Sequence, residues 1–131
     1  MKKVISKKTA GNILIGSLVF LLFFHLLVIL KVLPGNIVWG GTLDENIVIK
    51  YEIIALIITV FLLFNAIVKA GYINNNILKK ITKVIIWFMV VYFAFMIFGN
   101  LVAKTLTEKI IFIPLSALMF VSSLRLALEN D

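Results

Sequence analysis

The sequence has no cysteine, one histidine, two prolines and six acidic residues among 131. Without cysteine there is no disulfide exchange, no thiolate nucleophile and no cysteine-ligated zinc or iron–sulfur centre. Small helical quinone–disulfide enzymes are excluded on the same ground. A single histidine and few carboxylates leave too few ligands for a metal site, so neither metal nor cofactor is expected. Ser116, Ser122 and Ser123 lack the strand–turn–helix setting of a nucleophile elbow. Gly40-Gly41 does not resemble a phosphate-binding loop. These gaps argue against an enzyme. No polar stretch is long enough for a separate soluble domain, and no run alternates apolar with polar residues as barrel strands do.

What is present is apolar. The hydrophobic fraction is 63% and the mean hydropathy +1.15, well above the roughly 45–50% apolar usage of soluble domains. The chain is organised around Gly11–Leu33, an apolar run broken only by His25 and Lys31, with the basic tail Met1–Lys8 before it. This run is longer than a signal-peptide core of about 7–15 residues, and Lys31-Val32-Leu33-Pro34 offers no small-residue cleavage pattern. It reads as an uncleaved first span. A bilayer core about 30 Å thick takes roughly 20 apolar residues per helix. By that measure the spans fall at 11–33, 47–70, 84–103 and 110–128, in a single membrane domain 1–131. Outer loops run over 34–46 and 104–109, and an inner loop over 71–83. Pro34-Gly35 ends the first span. Pro114 falls near the first turn of the fourth, where a missing N–H costs least. The expected fold is all-α, a membrane four-helix bundle.

The net charge of +7 invites a nucleic-acid partner. The basic residues bracket spans instead of lining one face, so the expected partner is the lipid bilayer and not nucleic acid. With the N-terminus inside, Lys2, Lys3, Lys7, Lys8, Lys69, Lys79, Lys80, Lys83 and Arg125 lie on the inner side. Lys31, Lys50, Lys104 and Lys109 lie outside, offset by Asp44, Glu45, Glu52 and Glu108. This bias places both termini in the cytoplasm. Trp39, Tyr72 and Trp87 suit headgroup anchors. Ile77, Leu78 and Ile81, set among lysines, suggest that the third helix starts before the membrane proper.

Helices in lipid associate through small residues and a few polar contacts. Such stripes are Glu52, Ala55, Thr59, Ala66 and Ala70 on span 2, then Tyr92, Met96, Gly99 and Ala103 on span 3, and Ser116, Ser123 and Ala127 on span 4. On span 1 the inward line is Leu14, Leu18 and His25.

His25 lies about 12 Å below the outer end of its span at 1.5 Å per residue. An ionisable group at that depth faces a partner or a cavity. It reads either as a proton relay or as a neutral imidazole bonded to a neighbouring helix. Glu52 and Asn100 sit at similar depth. His25, Lys31, Glu52, Asn100 and Lys104 could therefore form one outward-opening polar cluster, or a solvated network that pins helix ends with snorkelling lysines. On the inner side Asn65, Lys69, Ser122 and Arg125 are candidate headgroup contacts.

Trp39-Gly40-Gly41, Tyr51-Glu52, Lys69-Ala70-Gly71-Tyr72, Gly99-Asn100-Leu101-Val102-Ala103-Lys104 and Arg125-Leu126-Ala127 together resemble a family of small, uncharacterised bacterial four-span membrane proteins. The general layout is also similar to DoxX-type four-span proteins. The resemblance implies a fold and a compartment, the bacterial inner (cytoplasmic) membrane, and no activity. The leading expectation is a non-enzymatic accessory or structural subunit, acting through a protein partner or a homo-oligomer. The alternatives are a small transporter or proton-linked permeation unit using His25 and Glu52, and an immunity-type membrane protein.

Overall fold

The computed structural model describes residues 5–129. Lys2 and Lys3 of the basic tail, and Asn130 and Asp131 of the C-terminal tail, lie outside them. Four helices form: α1 (Lys7–Ile29), α2 (Glu45–Ala70), α3 (Asn76–Val102) and α4 (Ile113–Ala127). A π-helical segment, Glu108–Phe112, leads directly into α4. Among the described residues there is no strand. All four helices, with the fourth counted over Glu108–Ala127, are long and apolar enough to cross a membrane.

Local chemistry sets the helix ends. Ser6 accepts from the Thr9 N–H at 3.1 Å, which caps α1 and lets it begin at Lys7, before the apolar run. Lys31 adopts a left-handed φ of 64°, so α1 ends at Ile29 and not at Leu33. Gly71 closes α2 with φ of 100°, a conformation glycine takes without a Cβ penalty. The Asn75 side chain accepts from the N–H groups of Ile77 and Leu78, each at 3.0 Å. That cap starts α3 at Asn76, ahead of its apolar run.

In the fourth helix Pro114 lies in the first turn, as expected, but a π-helical turn precedes it. Thr105 Oγ1 accepts from the Glu108 N–H at 3.2 Å and donates to Glu108 Oε1 at 2.7 Å. This cap sits ahead of the π-helical segment, so Pro114 at the start of α4 follows directly on a wide turn. The wide turn accommodates it, with Ile113 N–H bonding back to Glu108 O.

The helices pack in a ring. α1 lies against α2 and α4, α3 lies against α4, and the α2–α3 seam is lighter. Leu14, Leu18, Ile86, Met89, Phe93, Met119 and Leu126 fill the centre. On span 2, Glu52, Ala55, Thr59 and Ala66 are buried; on span 4, Ser116 and Ser123 are buried. The α3 expectation needs correction. Its packed face is Thr82, Ile86, Met89, Val90 and Phe93, because apolar volume fills the centre better than the stripe of Tyr92, Met96 and Gly99. That stripe borders a cavity instead.

One end of the bundle is tight. A Cβ on Gly11 would lie 2.6 Å from Ala70 Cβ, so α1 and α2 touch nearly backbone to backbone. Tyr72 donates to Asn12 Oδ1 at 2.5 Å, and Thr82 donates to Asn65 Oδ1 at 2.9 Å across the α2–α3 seam. Arg125 Nε donates to Ile5 O at 2.7 Å, which brings the first and last described segments together at this end. Phe23, Ile57, Phe88, Phe95 and Phe98 point outward and are exposed. An all-round apolar exterior of this kind suits lipid and not water.

Candidate functional site

The other end of the bundle holds a cavity of about 540 Å³. Its walls come from α1, α2, α3, the loop between α1 and α2, and the π-helical segment before α4. α1 gives Leu21, Phe24 and His25; α2 gives Glu52 and Ala55; the loop between them gives Val38, Trp39 and Leu43. α3 gives Tyr92, Phe95, Met96, Gly99 and Asn100, and the π-helical segment gives Glu108 and Phe112. Most of this surface is apolar. Phe95 is 71% exposed and Tyr92 is also exposed, so the cavity is not closed. Trp39 and Leu43 are exposed as well, so the exposed part of the wall lies on α3 and on the loop between α1 and α2.

The polar centre of the wall is Glu52, only 1% exposed. Its depth on α2 follows from the period of the apolar stripe, which puts it on the same face as Ala55 and Thr59. One carboxylate oxygen, Oε2, accepts from His25 Nδ1 on the facing helix. The other, Oε1, accepts from Trp39 Nε1 at 2.9 Å. Both oxygens are thus met by N–H donors from separate elements, which is how a buried charged group is made tolerable. His25 is itself buried, 8% exposed, and stands edge-on to Phe24. Phe24 in turn meets Phe112 edge-on, with ring centroids 4.8 Å apart.

The loop is built to deliver Trp39. Two short 3₁₀ turns, Gly35–Ile37 and Trp39–Gly41, fold it back over the helix ends. Trp39 has φ of 54°, a left-handed conformation that costs a residue with a Cβ about 1–2 kcal/mol. Its ring packs edge-on against Tyr51 at 5.3 Å. Gly41 follows with φ of 78°, and a Cβ there would lie 2.9 Å from Asn36 O. Glycine is required at that position.

Of the five residues expected in the outer cluster, His25 and Glu52 touch, and Asn100 lines the same cavity. Asn100 Nδ2 points to Phe112 O at 3.4 Å. The same carbonyl accepts from Ser116 Oγ at 2.5 Å. Lys31 lies apart, 3.6 Å from Glu45 on the exposed surface. Lys104 is exposed and does not line the cavity. Two residues at the site were not in the expected cluster. The sequence suggests a headgroup anchor at Trp39 and an outer-side charge at Glu108, yet Trp39 donates to Glu52 and Glu108 is buried. The Trp39-Gly40-Gly41 run and the Thr105-x-x-Glu108 capping pattern were the signals for both.

The inner set is spent largely within the protein. Asn65 donates to Phe61 O at 2.9 Å and accepts from Thr82. Ser122 donates to Leu118 O at 2.6 Å in its own helix. Lys69 is buried. Arg125, read as a headgroup contact, is 4% exposed and holds Ile5 O and Glu129 Oε2, the latter at 2.7 Å. Among the described residues no group of three or more His, Cys, Asp or Glu could hold a metal ion. Comparison with protein-family models, with curated proteins and with solved structures finds no match.

Proposed function

We propose that this chain is a small four-span protein of the bacterial inner membrane, with both termini cytoplasmic, that binds an amphipathic small molecule arriving from the bilayer. It works as a proton-linked permeation unit through His25 and Glu52. One observation carries the reading. A laterally open apolar cavity of drug-like size has a buried histidine–carboxylate pair in its wall. Ligand sites are typically apolar clefts of about 300–1,000 Å³ with a few well-placed polar groups. An ionisable pair within a span marks a pathway or a relay more often than a packing device. The orientation is supported by Lys7, Lys8, Lys69, Lys79 and Lys80, which belong to the end where both described termini meet.

A spacer subunit has no need of such a cavity, and the described fold gives no specific support to an immunity role. Native mass spectrometry of the protein in nanodiscs separates these readings. A small molecule should be retained, and it should be lost in Gly99→Phe. A Cβ at Gly99 meets nothing within 4 Å, so the new ring can occupy the cavity without a backbone clash. In liposomes, flux of the retained molecule should depend on pH and should fall in His25→Ala and Glu52→Gln. A stoichiometric second protein with no retained molecule would instead make the chain a subunit of a larger assembly.

A further inference from the structure

We infer that the molecule this cavity takes is a cation: an ammonium or similar onium head carried on an apolar body. This deepens the binding reading above and rests on it.

The charge of the wall is the first ground. The chain carries 13 Lys and Arg against six Asp and Glu, yet among the described residues no Lys or Arg lines the cavity. Two of the six acidic residues do, Glu52 and Glu108, and both are buried. The titratable groups facing the space are Glu52 from α2, His25 from α1, Tyr92 from α3 and Glu108 from the π-helical segment. Two carboxyl groups against one histidine make the formal charge of the described wall negative. In a protein of net charge +7 this is a local inversion of sign. An anionic head would face like charge in a medium of low dielectric, where repulsion is least screened.

The rings are the second ground. Phe24, Trp39, Tyr92, Phe95 and Phe112 all border the space. Aromatic faces attract cations through the ring quadrupole, most strongly where water is excluded. The Glu52 oxygens already accept from His25 and Trp39. A cation without N–H donors, held by charge and ring faces, therefore suits the site as well as one with them. The opening beside α3 accepts an apolar body from the lipid side.

The test uses two ions of matched shape and opposite charge, tetraphenylphosphonium and tetraphenylborate. Each is measured by equilibrium dialysis against the full chain in an uncharged maltoside detergent. The phosphonium should bind saturably and at least about tenfold tighter than the borate, the factor expected for reversing one charge beside buried carboxylates. Glu108→Gln and Glu52→Gln should each weaken the phosphonium by about the same factor, while exposed Lys104→Gln leaves it unchanged. Tyr92→Leu, which removes an exposed ring of the wall, should weaken it roughly two- to fivefold. Equal binding of both ions, abolished by Gly99→Phe, would overturn the cation assignment and leave the cavity as a binding site. Binding of neither ion would overturn both. The onium head comes either from a free lipophilic cation or from a lipid amine headgroup. Competition by short-chain phosphatidylethanolamine marks the second source, and its absence the first.

Discussion

Replacing His25 by leucine removes one of the two donors that hold Glu52 inside the bundle. Removing the partner of a buried charged group costs about 3–5 kcal/mol, because the charge is left in a poor solvent. Trp39 still donates to Oε1, so the expected loss lies near the lower bound, about 3 kcal/mol. Glu52→Leu removes the carboxylate but strands the buried His25 Nδ1 and leaves the part-buried Trp39 indole without its acceptor, and should cost about 2 kcal/mol. The double variant His25→Leu/Glu52→Leu strands only the indole and should cost about 1 kcal/mol. The coupling between the two positions is then about 4 kcal/mol, far outside the additivity expected of independent sites. The assay is reversible unfolding in maltoside micelles titrated with dodecyl sulfate, followed by far-ultraviolet circular dichroism. A double variant that loses as much as both single variants together would refute the pair as a coupled unit. So would a His25→Leu variant as stable as the parent.

Two further variants test the tight end of the bundle and the loop that carries Trp39. Gly11→Ala should destabilise the bundle by about 1–3 kcal/mol through overpacking against Ala70; adding Ala70→Gly should recover most of the loss in the same unfolding assay. Gly41→Ala forces a Cβ onto a left-handed backbone beside Asn36 O and should cost about 1–2 kcal/mol. In a Trp87→Phe background, where Trp39 is the one remaining tryptophan, its emission should move to longer wavelength as the ring leaves its place against Tyr51.

The sequence made the helices legible because hydropathy over 20 residues is a strong signal, and spans 2 and 4 lie close to where their apolar runs predict. Helix starts were less legible, since Ser6, Asn75 and Thr105 act through single side-chain bonds that hydropathy does not weigh. The α3 face was misassigned for a related reason. Small residues mark close packing only where a neighbour comes close, and at Gly99 none does. Depth arithmetic was enough to put His25 and Glu52 level with each other. It could not separate them from Lys31, because the left-handed turn at Lys31 that sends its side chain toward Glu45 depends on the loop path. Trp39 was the costliest omission. An aromatic residue beside a headgroup region looks the same in sequence whether it faces lipid or turns inward.

That inward turn ties the loop to the site. A left-handed tryptophan persists only where its surroundings over-determine it, and here the Glu52 carboxylate and the Tyr51 ring do so. Conversely, Glu52 is tolerable at 1% exposure because the indole and the imidazole both reach it. Strain in the loop and burial of the charge are therefore two sides of one arrangement, closed over the joint between α1 and α2. The α2–α3 seam has its bond, Thr82 to Asn65, near the opposite end of the bundle. Tight packing at the Gly11–Ala70 end thus holds α1 and α2 together, and the cavity lies where the packing against α3 is lighter. A molecule entering there would meet the buried pair without first breaking the loop that holds it.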